Sequence, residues 1–178
     1  MLTAILLVVT GVALRLTMPP LNLVPLCAIA LYAGARLPRK WSVLIPLAIM
    51  LISDVLLDRA HGYPFYSASR LTSYAFFMGI AFSSSFVRKD AGLLTRGGMS
   101  VAASTLFFLV SNFAVWAEGT GYHFPWNFPG LMSAYTVALP FYRNMLVADL
   151  VGTGVLFVVV DALLAKYPVK KAALESVS

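Results

Sequence analysis

The stretch "LPFYRNMLVADLVGTGVLFVVV", Leu139 to Val160, decides the fold class. Most of it reads as a membrane span, because a helix needs roughly 20 mostly apolar residues to cross about 30 Å of hydrocarbon. Yet Arg143 and Asn144 stand at its start and Asp149 lies within it. A charge at the centre of a lipid-facing helix costs roughly 2.5–3.5 kcal/mol on insertion scales. These groups are therefore expected to face a protein interior or a wet cavity.

The remaining chain agrees with a membrane setting. Of its 178 residues 60% are hydrophobic and only 11% charged, and the mean hydropathy is +0.86. A soluble domain carries about 25% charged residues. The expected fold class is an all-α membrane protein, a compact bundle of six transmembrane helices forming a single domain over residues 1–178. The net charge of +6 is explained by Lys and Arg at the cytoplasmic ends of spans, without nucleic acid. Cys27 is the single cysteine, which excludes an intrachain disulfide and a cysteine-cluster metal site.

Apolar runs separated by Pro, Gly and charge place the spans at about residues 2–17, 23–37, 41–57, 70–87, 99–117 and 140–165. The N-terminal run lacks a basic leader and reads as a retained first span. Residues 131–139 are too short to cross and are expected to form a separate interfacial or re-entrant helix leading into Pro140. A five-span arrangement with a broken helix near Pro25 is the rival. Three basic clusters would share one side: Arg36, Arg39 and Lys40; Arg88, Lys89 and Arg96; Lys166, Lys170 and Lys171. By the positive-inside rule that side is cytoplasmic, with both termini inside and the protein in the inner (cytoplasmic) membrane of the cell.

Depth along each span, at about 1.5 Å per residue, brings most buried polar groups to the outer half. Arg15 ends span one, Asn22 begins span two, and Asp54 lies near the outer end of span three. Asn112 and Trp116 are four apart on one face of span five. Arg143 and Asn144 open span six, and Asp149 is about 9 Å deeper. Asp161 falls near the inner end. Arg15 and Arg143 would balance Asp54 and Asp149 in a shared polar centre. Two readings follow: ion pairs and amide bonds that only hold helices together, or a ligand site. Outside loops rich in Tyr63, Phe65, Tyr66, Tyr122, His123, Phe124, Trp126 and Phe128 favour the second, as a lid over a ligand. Ala30 and Gly34 make a small-residue face suited to packing within the bundle or to docking a partner subunit. Neither His61 nor His123 has a partner at metal-ligand spacing. No catalytic or nucleotide-binding motif is present, so the chain is expected to be no enzyme and to need no cofactor.

Three segments carry a resemblance: "PPLNLVPLCAIALYAGARLPRKWSVLIPLAIMLISD", "FFLVSNFAVW" and "GLMSAYTVALPFYRNMLVADL". Over about Arg15 to Phe157 they resemble a family of small bacterial integral membrane proteins, with Ser111, Tyr142 and Met145 as departures. That family is in turn similar to the substrate-binding S-components of energy-coupling factor vitamin transporters. The resemblance implies capture of a vitamin-like solute at the outer face and delivery through a transmembrane coupling subunit with ATPases. Its pattern falls on Asn22, Pro25, Asp54, Asn112, Trp116, Tyr135, Arg143, Asn144 and Asp149; these residues other than Pro25, together with Arg15, form the expected ligand-binding set. A ligand-free structural or assembly protein is the alternative, and an intramembrane enzyme a weaker one.

Overall fold

The computed structural model describes residues 2–17, 23–62, 67–88, 90–119 and 124–166. Most of these residues are helical, and there is no strand among the described residues. In chain order the helices are α1 (Leu2–Thr17), α2 (Leu26–Arg36), α3 (Arg39–His61), α4 (Ala68–Ser84), α5 (Leu93–Glu118) and α6 (Phe128–Gly154). The last continues without a break through a π-helical segment (Val155–Val160) into a short α7 (Asp161–Lys166).

Three helices are long and apolar enough to cross a membrane: α3, α5 and the 39-residue run Phe128–Lys166. That fits a membrane protein. The expected spans at 2–17, 23–37 and 70–87 are shorter helices, and α2 has only 11 residues. At 1.5 Å per residue α2 extends only about 16 Å, roughly half a bilayer core.

The boundaries follow local chemistry. Ser67 accepts from the Arg70 amide and starts α4, and Asn127 accepts from the Gly130 amide and starts α6. Both are N-caps that satisfy an otherwise orphaned donor. α3 and α5 stop at Gly62 and Gly119, whose φ values of 72° and 67° are left-handed, as glycine C-caps usually are.

α2 is the axle of the bundle. Ten of its residues are buried, Leu26 to Ala35, and α3, α4, α5 and α6 pack around it. The small side chains set the spacing. A Cβ on Gly34 would collide with the Ala81 carbonyl oxygen and lie 2.7 Å from the Ser84 Cβ. On the other flank a Cβ on Gly152 of α6 would lie 2.6 Å from the Pro25 Cβ. Ala30 and Gly34 are thus occupied by internal packing, and their face is not open to a partner subunit. The outward faces of α5 and α6 are apolar, with Leu106, Phe113, Val147 and Val151 exposed.

A separate helix at 131–139 does not form. α6 runs straight through Pro140. A proline in a helix interior removes one backbone hydrogen bond and crowds the preceding turn. Two side chains anchor α6 to α5 on either side of it. The Tyr135 hydroxyl donates to the Leu109 carbonyl at 2.8 Å, and the Tyr142 hydroxyl lies 2.9 Å from Thr105 Oγ1. Phe108 sits between the two rings, with centroids at 5.5 and 4.6 Å. Tyr135→Phe is expected to cost about 0.5–1.5 kcal/mol, the net worth of one such bond. Thermal unfolding of the variant in detergent checks this.

Candidate functional site

The site is built where α1, α3 and α4 meet. Asp54 and Asp58 are four apart on α3, and Arg70 and Tyr74 are four apart on α4, so each pair shares a helix face. Arg15 arrives at the end of α1. Its Nη2 bonds Asp54 Oδ1, and its Nε donates to Ser53 Oγ at 2.6 Å. The other Asp54 oxygen accepts from the Tyr74 hydroxyl at 2.6 Å and lies 3.6 Å from Arg70 Nε. Arg70 grips Asp58 with both terminal nitrogens. Asp54 and Asp58 are buried, at 5% and 8% exposure, so their charges depend on these partners rather than on water.

Beside this network lies a cavity of about 380 Å³. Arg15, Asp54 and Arg70 line one wall, and Ser67, Ser69, Ser73 and Ser111 supply hydroxyls. Phe77, Phe107, Met50 and Met145 form its apolar lining. The serines are held by local bonds: Ser67 and Ser69 hydroxyls lie 2.8 Å apart, and Ser73 donates to the Ser69 carbonyl at 3.0 Å. Glu118 at the end of α5 accepts from the Ser69 amide at 2.9 Å, tying α5 to the rim. A volume of this size falls within the range of small-molecule pockets, and half of its lining residues are polar or charged.

The expected set is divided by the structure. Arg15 and Asp54 come together as a pair at this cavity. Asn22 lies outside the described residues, as do Tyr63, Phe65, Tyr66, Tyr122 and His123 of the expected lid. Trp126 and Phe128 are exposed, at 76% and 71%. Asn112, Trp116 and Tyr135 belong to the seam between α5 and α6 and its flanking turn. Asn112 donates to the Phe108 carbonyl at 2.7 Å, and Trp116 Nε1 to the Pro125 carbonyl at 3.1 Å.

The expected Arg143–Asp149 balance does not form. Six residues at about 100° each put the two side chains roughly 120° apart around α6. Arg143 is exposed and borders, with Asn144, Thr136, Leu139 and Pro140, a separate groove of about 540 Å³ along α6. Asp149 is fully buried instead. Its Oδ1 accepts from the Ala28 amide at 3.1 Å, and its Oδ2 accepts from Ser104 Oγ at 2.7 Å. Pro25 gives α2 no side-chain cap, so Asp149 caps that helix from across the bundle, where the dipole favours a carboxylate.

At the opposite end of the molecule Asp161 joins Arg36 and the Tyr32 hydroxyl. Arg96 lies over the Phe157 ring at 4.3 Å, and Arg39 over Phe86 at 4.4 Å. Arg36, Arg39 and Arg96 gather at this end; Lys89, Lys170 and Lys171 of the expected basic clusters lie outside the described residues. Among the described residues no group of three or more His, Cys, Asp or Glu is placed to hold a metal ion.

Arg70, Asp58, Tyr74 and the serines were not anticipated. Arg70 reads in sequence as the first residue of the span at 70–87, an outer-side charge accompanied by Asp58. The signal that identifies it is the matched four-residue spacing on α3 and α4, Asp54/Asp58 against Arg70/Tyr74.

Comparison with known proteins adds a family and no activity. No curated protein and no solved structure matches the chain. A match over residues 1–172 shows that the chain belongs to a family of unknown function, DUF6580.

Proposed function

We propose that the protein is a small-solute-binding membrane subunit, S-component-like, which takes its ligand into the Arg15–Asp54–Arg70 cavity from the outer face. The observation that carries this reading is the lining of that cavity: two arginines, a carboxylate and four serine hydroxyls against an apolar, partly aromatic wall. Arg15 and Arg70 are balanced by Asp54 and Asp58, so the site suits a neutral or zwitterionic polar solute with an apolar ring or chain. The serines would bond its polar edge, and Phe77 and Phe107 would pack on the rest.

The positive-inside rule supports the orientation. Arg36, Arg39 and Arg96 mark the end remote from the cavity, which is then cytoplasmic, in the inner membrane. The start of α1 lies at that end too. A coupling subunit with ATPases, as in the energy-coupling factor transporters, would meet this basic end. The S-component likeness rests on size, helix number and the buried small-residue helix α2, a likeness of fold class only.

One observation favours the structural reading. Each arginine of the site already has a carboxylate partner, as struts between helices would. The two readings separate under one experiment: native mass spectrometry of the gently purified protein, with chemical analysis of what co-purifies. Solute binding predicts one stoichiometric small molecule, lost in Ser111→Phe, which fills the cavity, and kept in Arg143→Ala, whose side chain lies outside it. An empty protein that retains another membrane subunit sides with the assembly role. A charge-swapped Arg15→Asp/Asp54→Arg pair keeps function only if the pair is a strut.

A further inference from the structure

Four carboxylates among the described residues pair with arginine: Asp54, Asp58, Asp90 and Asp161. Asp149, the most deeply buried, does not. Its described partners are the Ala28 amide and the Ser104 hydroxyl, with the Cys27 thiol alongside. One carboxylate charge thus sits in the bundle interior with no cationic side chain bonded to it. Ionisable groups at such places are expensive and mark ion pathways or sites when they occur.

A second observation lies one turn away. Ser100 Oγ and Thr153 Oγ1 are buried, at 0% and 1% exposure, and have no hydrogen-bond partner. Ser100 precedes Ser104 by four residues on α5, and Thr153 follows Asp149 by four on α6. The two helices run antiparallel, and Ser104 is bonded to Asp149. Ser100 therefore comes opposite Thr153, one turn nearer the Arg36 end. Hydroxyls inside helices usually bond the carbonyl one turn back. Thr17, Ser53, Ser73, Thr105, Ser133 and Thr136 all do so here. Ser100 and Thr153 do not, and buried polar atoms without a partner call for an unseen water or ion. The π-helical segment begins at Val155, two residues beyond Thr153, and such turns recur at functional sites.

The geometry points to a binding site for one small monovalent cation, Na⁺ in size, between α5 and α6, with Asp149, Ser104, Ser100 and Thr153 as its oxygen ligands. Oxygen-only ligation is that of a hard cation. A single carboxylate balances one positive charge and leaves a divalent ion uncompensated. Protonation alone would neutralise Asp149 but would leave the Ser100 and Thr153 hydroxyls unexplained. Arg96, one turn beyond Ser100, is a buried neighbour of the site: its Nη2 donates to the Arg88 carbonyl at 3.2 Å and its guanidinium lies over the Phe157 ring at 4.3 Å, so it sets the limit of the site towards the Arg36 end. The site is separate from the outer cavity and needs no solute.

The test is thermal unfolding of the purified full chain in detergent, titrating NaCl against choline chloride at constant ionic strength. Mass action predicts a Tm rise of about 3 °C for each tenfold rise in Na⁺ once its dissociation constant is passed. Asp149→Asn, Thr153→Val and Ser100→Ala are expected to abolish that dependence, and Arg143→Ala to keep it. If Asp149→Asn fails to fold, the two hydroxyl variants decide. A wild-type Tm that is the same in Na⁺ and choline overturns the proposal, and so does a Na⁺ response that survives in Thr153→Val. A response to pH with none to Na⁺ assigns the site to a proton and overturns it as well.

Discussion

Asp54→Ala is expected to destabilise the protein by about 3–5 kcal/mol, the cost of removing one partner from a buried ion pair. Asp54 receives Arg15, Arg70 and the Tyr74 hydroxyl from two other helices. Without it Arg15 keeps only Ser53 Oγ among the bonds described here, and the buried Tyr74 hydroxyl loses its acceptor. The loss exceeds that of a surface pair, which is worth about 0–1 kcal/mol, because Asp54 is only 5% exposed. Asp54→Asn keeps an acceptor oxygen for Tyr74 but loses the charge that balances Arg15, so it should fall between wild type and alanine. Chemical or thermal unfolding in mild detergent gives the order wild type, Asn, Ala. An alanine variant as stable as wild type would show that the arginines reach other partners at no cost.

The second large effect is expected at Gly34. Its missing side chain lets α2 approach α4 until the Ala81 backbone carbonyl occupies the place of a Cβ. Backbone cannot swing aside as a side chain can. Overpacking a core by a methylene or two costs about 1–3 kcal/mol, so Gly34→Ala should cost about 3 kcal/mol. Gly34→Leu should prevent folding of the bundle altogether. Gly79 on α4 is the control, because a Cβ there meets nothing within 4 Å. Gly79→Ala should be neutral or stabilising by up to about 1 kcal/mol, since glycine weakens a helix interior. Yield of monodisperse protein and Tm of the three variants read this directly. A well-folded Gly34→Leu protein would mean that α2 and α4 are not locked together.

The helices were legible because apolar runs end at Pro, Gly and charge, and because long runs in a 178-residue chain have little choice but to pack as a bundle. That Arg15 and Asp54 lie at one depth was legible from the sequence; which arginine meets which aspartate was not. Depth says nothing about direction around a helix axis, and that is why Arg143 and Asp149 were placed in one polar centre although the two point about 120° apart. Arg70 was hidden by its place at a loop boundary. The serines were hidden because a hydroxyl barely alters hydropathy, so neither the cavity wall nor the Ser100–Thr153 pair has a trace in the apolar pattern. Pro140 misled through a rule learned from helices in water. Where neighbouring helices grip the chain on both sides, a proline is tolerated in mid-helix.

The distal cap on α2 also bears on how the chain is made. The Ala28 amide meets its acceptor 121 residues later in the sequence, at Asp149. During synthesis α2 emerges first, too short to cross the bilayer by itself and with its leading end uncapped. The helix that becomes the axle of the finished bundle is therefore completed last. Translation must pass Asp149 before that bond can form, and a chain cut short ahead of it leaves the Ala28 amide without this acceptor.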